Sequence, residues 1–179
     1  MDNNIVIIDD ILNPTEYQKL SEIMYQNPAW MWGAKTDFDN ENSARLWQIN
    51  FKNGEGVVDS FILELWETIK KKVKLTNSYE IFRVYANGQT YGMDGDWHTD
   101  SDDTGMYTFL YYFTEGDENI IGDTEFIIEE KLLSFKPKTN TGILFSSNLK
   151  HRGCGPKREF KDLRITVAFK LIKKGNTLL

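Results

Sequence analysis

The chain contains only two histidines, His98 and His151. His98 stands in the run Trp97-His98-Thr99-Asp100. Side chains two apart on a strand share a face, so His98 and Asp100 are expected to point together into an interior. His151, at the end of a later predicted strand, would complete a triangle of ligands. Two imidazoles and a carboxylate suit Fe(II) and leave positions open for a chelating ligand and O2. A His-x-Asp triplet alone is weak evidence, and a lone histidine is more often a surface or core residue. The neighbouring pattern therefore carries the weight.

Arg164 opens Arg164-Ile165-Thr166-Val167-Ala168-Phe169, a run that is otherwise apolar and strand-like. An Arg facing the same way as Thr166 would be costly to bury without an anion. A dicarboxylate ligand would supply one, through two parallel hydrogen bonds to the guanidinium. A surface ion pair with Glu159 or Asp162 is the plainer alternative.

The elements that must position these residues fall into two groups. A short β-branched run at 5–8 predicts a first strand. Asn13-Pro14-Thr15-Glu16 predicts a capped helix start, with Tyr17, Leu20, Ile23 and Met24 on one face and Asn27-Pro28 as its end. A strand is expected at 45–51 and a second amphipathic helix at about 57–73, closing on Lys70-Lys71-Lys72. From Tyr79 onward the period becomes two, with strands at 79–86, 107–114, 125–129, 132–135, 142–146 and 164–171. The pattern predicts an α+β chain, mainly β: a sandwich or jelly roll with two supporting N-terminal helices. One domain is expected over residues 1–179, with helical support at about 1–75 and the β core at about 79–172.

Composition sets bounds. The chain has 179 residues, 40% hydrophobic and 27% charged, which fits a folded domain with a real core. A net charge of −6 argues against non-specific nucleic-acid binding, which needs positive charge. A single cysteine, Cys154, precludes an internal disulfide and suggests a reducing, cytoplasmic setting. No apolar run is long enough for a membrane span, and the first residues do not resemble a secretory signal.

Over roughly residues 85–169 the ordered pieces resemble the 2-oxoglutarate- and Fe(II)-dependent dioxygenases, especially their prolyl 4-hydroxylase-like branch. Tyr85-Ala86-Asn87-Gly88 is similar to the Tyr-x-x-Gly that precedes the first ligand there, and Trp97-His98-Thr99-Asp100 to the His-x-Asp. Gly122-Asp123-Thr124-Glu125-Phe126 resembles Gly-Gly-x-Thr-x-Phe, with Asp123 in place of the second glycine. Pro137, Gly142, Phe145 and Ser147 lead to His151-Arg152-Gly153, and Arg164-Ile165-Thr166 resembles the family's Arg-x-Ser/Thr.

The resemblance implies a double-stranded β-helix in which His98, Asp100 and His151 bind Fe(II). It implies that Arg164, Tyr111, Thr166 and Tyr85 bind 2-oxoglutarate. Tyr91, Trp97, Arg83 and Trp32 are the candidate substrate residues. Residues 30–40, carrying Trp30, Trp32, Asp37 and Asp39, are expected to form a lid or an ordinary loop, and 93–96 is a second loop candidate. The implied reaction consumes O2 and 2-oxoglutarate, releases succinate and CO2, and hydroxylates a substrate, with ascorbate as accessory reductant. A prolyl residue in a protein or peptide is the first substrate expected. A small molecule such as a free amino acid is the alternative, and a jelly-roll binding module with a vestigial metal site is the non-enzymatic one. The related halogenases lack the carboxylate, so Asp100 speaks against halogenation.

Overall fold

The structure, a computed structural model, describes residues 5–26, 29–36, 40–53, 60–73, 79–103 and 105–174. The first strand, β1 (Val6–Ile8), leads into α1 (Pro14–Gln26). The helix opens as its sequence predicts. Asn13 Oδ1 accepts from Glu16 N at 3.0 Å, and Glu16 Oε2 accepts from Asn13 N at 2.9 Å, so each satisfies a donor that the first turn leaves unpaired. The expected stop at Asn27-Pro28 lies outside the described residues.

Next come β2 (Met31–Lys35), β3 (Arg45–Asn53) and α2 (Ser60–Val73). They are followed by β4 (Tyr79–Gln89), β5 (Tyr107–Tyr112), β6 (Thr124–Ile128) and β7 (Lys131–Phe135). The last three are β8 (Thr141–Ser146), β9 (Lys150–Gly153) and β10 (Arg164–Lys173). Two antiparallel sheets form. The larger has the order β1-β8-β5-β10-β4-β3-β2, and the smaller β7-β6-β9. This is the double-stranded β-helix, or jelly roll, in a mainly β chain.

The large sheet has two different faces. Ile49, Val84, Ala86, Phe109, Phe113, Val167 and Phe169 bury themselves against Leu20 and Met24 of α1 and Ile62, Leu65, Trp66 and Ile69 of α2. Each such fully buried side chain contributes about 1.5–3 kcal/mol relative to exposure. The opposite face meets the small sheet around Tyr112, Phe126, Ile143 and Phe145. Arg164, Thr166 and Lys170 of β10 point to that second face, opposite Ile165, Val167 and Phe169.

Two strands escape the sequence reading. Residues 31–35 form an edge strand paired with β3, not the start of a lid. Their pattern hides this, because Gly33 at φ 111° and a bulge between Trp32 and Ala34 break the alternation. Asp37 and Asp39 of the expected lid lie outside the described residues. His151 does not end the strand at 142–146. It sits on the separate four-residue β9, whose Lys-His-Arg-Gly sequence has little intrinsic strand preference and is held by pairing with β6.

Candidate metal centre

The two histidines meet through their backbones. His98 and His151 form an isolated antiparallel bridge, with His98 N to His151 O at 3.0 Å and His151 N to His98 O at 2.9 Å. Asp100 is held alongside, its amide donating to Ser147 O at 2.8 Å. One ligand atom from each of His98, Asp100 and His151 lies within 4.8 Å of the others. Each ring is fixed by its Nδ1, which contacts Asp96 O at 2.9 Å in His98 and Leu149 O at 2.8 Å in His151. Such a carbonyl partner calls for a proton on Nδ1 and leaves the Nε2 lone pair for a metal. Both Nε2 atoms face Asp100, at 3.6 Å from Oδ1 for His98 and 3.5 Å from Oδ2 for His151.

The surroundings tune these groups. Burial pushes the His151 pKa down, to about 4, so its ring is neutral near pH 7. In His98 burial acts in the same direction, but the adjacent Asp100 outweighs it and the pKa is raised. Burial alone would raise the Asp100 carboxyl. Lys170 first, then the two histidines, instead hold it well below the ordinary carboxylate value. Lys170 pairs directly with Asp100 Oδ2, and Thr108 donates to the same oxygen at 2.6 Å. A buried carboxylate beside two neutralisable imidazoles fits a divalent cation such as Fe(II).

Beyond the ligands runs an inner pocket ending at Arg164, which is 2% exposed. Its guanidinium donates to Gly122 O at 3.0 Å, Gln89 Oε1 at 2.6 Å and Thr124 Oγ1 at 3.1 Å. All these acceptors are uncharged, and among the described residues Arg164 makes no ion pair. Burial lowers its pKa from the usual guanidinium value. The surface-pair alternative for this residue is thus replaced by a buried cation that suits an anionic guest.

The inner wall comes from β10, where Arg164, Thr166, Ala168 and Lys170 alternate toward the pocket. Tyr85 lines it as well. The placement of Tyr111 corrects the sequence expectation. Its ring lies in the core on the helix side, and its hydroxyl donates to Asn140 Oδ1 at 3.1 Å. The adjacent Tyr112 shares the pocket-facing parity of Thr108 and Leu110. Its hydroxyl is buried beside Thr124 and Arg164, both of which favour its ionised form. Burial pushes its pKa up to about 12.

An adjoining space, the outer chamber, of ≈ 200 Å³ shares Tyr85, His98, Asp100 and Lys170 with the inner pocket and is lined also by Lys35, Gln48 and Arg83. Arg83, one of the four candidate substrate residues, lines this chamber. Three other candidate substrate residues are absent from the lining of both spaces. Tyr91 is 64% exposed, and Trp32 packs on Trp47 at 5.4 Å between ring centres. Trp97 carries the Arg152 guanidinium 4.7 Å above its ring. Lys170, Gln89, Thr108 and Tyr112 were not anticipated. The one signal for Lys170 was a lysine at even spacing from Arg164 in an apolar strand.

Asp96 links the site to the sheet edge. Its Oδ2 accepts from Ser43 Oγ at 2.7 Å, Thr36 Oγ1 at 2.9 Å and Ala44 N at 3.0 Å, while its carbonyl fixes His98. The β2–β3 connection and the first metal ligand are thus tied through one residue.

No protein-family model matches the sequence, and no curated protein matches it. Solved structures do. A prolyl hydroxylase from Trichoplax adhaerens, in complex with a hypoxia inducible factor peptide fragment, superposes with a TM-score of 0.70 at 15% identity, covering 97% of this chain and 85% of that one. A prolyl-4-hydroxylase from Pseudomonas putida gives 0.69 at 16% identity, covering 97% and 95%. HygX from Streptomyces hygroscopicus, with nickel, 2-oxoglutarate and hygromycin B bound, gives 0.71 at 10% identity, covering 98% and 85%. With its two sheets, its two supporting helices and its His-Asp-His cluster, the chain has the fold of the prolyl hydroxylases and other 2OG-Fe(II) oxygenases.

Proposed function

We propose that this protein is an Fe(II)- and 2-oxoglutarate-dependent dioxygenase that hydroxylates its substrate. The observation that carries the reading is a single pocket with the His98, Asp100 and His151 cluster at one end and the unpaired, buried Arg164 at the other. A metal-binding module with no chemistry has no need of that second feature.

His98, Asp100 and His151 would hold the metal. When bound, Fe(II) and 2-oxoglutarate supply the O2 activation that couples release of succinate and CO2 to hydroxylation of a C–H bond. Arg164 would anchor the far carboxylate of 2-oxoglutarate, with Gln89 and Thr124 fixing the guanidinium. Thr166 and Tyr112 are placed to contribute hydrogen bonds. Leu110, Phe145 and Ala168 keep water from the inner pocket. Asp100 is kept ionised by Lys170 and Thr108, so no proton need leave it for the metal to bind.

The likeness to two prolyl hydroxylases supports a prolyl group in a protein or peptide as substrate. A free amino acid is the second reading, favoured by the cationic lining of the outer chamber. The test is succinate formation from 2-oxoglutarate by purified protein with Fe(II) and ascorbate, beside Asp100→Ala. Iron-dependent succinate that vanishes in the variant is expected. Absence of turnover together with absence of metal and 2-oxoglutarate binding would overturn the proposal.

A further inference from the structure

Arg83 on β4 and Lys170 on β10 are direct register partners, and both line the outer chamber. Like charges directly opposite each other on antiparallel strands repel. Lys170 is neutralised by Asp100. Arg83 has no such partner among the described residues. Its guanidinium lies 4.5 Å from the centre of the Tyr85 ring, and its buried Nε makes no hydrogen bond. A third cation, Lys35 of β2, lines the same chamber.

The backbone arranges this deliberately. Between Leu171↔Ile81 and Lys170↔Arg83 the register shifts, so Phe82 has no partner in β10. Ile81 and Val84 therefore both enter the helix-side core, and Arg83 is turned toward the chamber with Tyr85. Without the extra residue, strand alternation would place Arg83 and Ile81 on one face. Among the described lining residues Asp100 is the only carboxylate, and it already serves Lys170 and the metal cluster. A chain of net charge −6 thus sets Arg83 and Lys35, beside the neutralised Lys170, around one space among the described residues. A bound divalent metal would make that space more positive still.

We propose that the substrate is a small molecule bearing an anionic group, a carboxylate or a phosphate, which binds in this chamber on Arg83, with Lys35 as the supporting cation. The oxygenase reading says what is done to that molecule; the anion site itself stands on the chamber. A free acid brings such a charge itself, which deepens the second of the two substrate readings above.

The test is thermal unfolding of protein loaded with Mn(II) and saturating 2-oxoglutarate, which fills the Arg164 pocket. Acetate and inorganic phosphate are titrated separately at constant ionic strength. Saturable stabilisation by one of them is expected, and the ion that acts identifies the group as carboxylate or phosphate. Binding should weaken about tenfold or more in Arg83→Gln and persist in Arg83→Lys, which keeps the charge. Lys35→Gln should weaken it as well, and serves if Arg83→Gln does not fold. No saturable binding of either ion, or equal binding by the native protein and the neutral variants, would overturn the proposal. Loss of Mn(II) and 2-oxoglutarate binding by the native protein, with anion binding intact in its metal-free form, would overturn the oxygenase reading instead.

Discussion

Lys170 and Thr108 both grip Asp100 Oδ2, whereas Asp100 Oδ1 turns toward His98 Nε2 at 3.6 Å. Each oxygen thus faces one histidine, and Oδ2, which also faces His151 Nε2 at 3.5 Å, carries the two protein contacts as well. Replacing Lys170 by Met would leave a buried carboxylate without its cation. Lys170→Met should cost about 3 kcal/mol in metal-free protein, and Mn(II) should restore much of it. Urea unfolding with and without Mn(II) checks this. An equal loss in both conditions would assign Lys170 a packing role only.

Arg164→Lys keeps a charge but loses the fork that reaches Gly122, Gln89 and Thr124 together. The 2-oxoglutarate Kd of the Mn(II)-loaded protein should rise roughly 30-fold or more, with Mn(II) affinity little changed. Calorimetric titration separates the two.

The tyrosine pair offers a test of strand parity. Tyr112→Phe removes a buried hydroxyl beside Thr124 and Arg164, so it should change the stability of the ligand-free protein by less than about 1 kcal/mol and weaken 2-oxoglutarate binding. Tyr111→Phe removes the hydrogen bond to Asn140, so it should cost about 1 kcal/mol and leave 2-oxoglutarate affinity unchanged. Denaturation and ligand titration on both variants decide the matter.

Gly122 sits at φ +97°, and a Cβ there would lie 2.5 Å from Cys154 O and 2.6 Å from Gly155 O. Gly122→Ala should destabilise by about 2 kcal/mol or more. Because Gly122 O accepts from Arg164 Nε, 2-oxoglutarate affinity should fall with it.

Asp96 predicts a dependence on acid. The Ser43 hydrogen bond, followed by those of Ala44 and Thr36, outweighs desolvation and lowers its carboxyl pKa. A lowered folded-state pKa means stability that is complete above the unfolded value of about 4 and lost as pH falls through the folded one. The stability gap between native protein and Asp96→Asn should be flat above about pH 5 and shrink below about pH 4. Chemical denaturation across that range reads it directly.

The candidate metal cluster and the buried Arg164 were legible because rare residue types announce themselves: two histidines in the whole chain, and one arginine opening an apolar strand. Tyr111 and Tyr112 were not separable, because which of two neighbours faces the pocket depends on strand parity, and a shift of one exchanges the faces. The pairing resolves it. Thr166, on the Arg164 face of β10, is opposite Tyr112. Lys170 stayed hidden for another reason. A lysine near the end of a strand ordinarily reaches water, and only Asp100, brought in from a loop between other strands, keeps this one inside. Trp97 looked functional from its place beside His98, but successive residues of an extended chain point apart, and its ring packs with Arg152 instead.

The strand that carries Arg164, Thr166 and Lys170 is β10, which follows every other described strand in sequence yet lies between β5 and β4. Its contacts to Gln89 and Thr108 span 75 and 62 residues. Until β10 inserts, β4 and β5 each present an unsatisfied edge, and neither pocket has its wall. Closing such long loops is slow, and the open edges invite pairing with other chains. Conditions that delay insertion of β10 should favour aggregation over a folded but inactive intermediate.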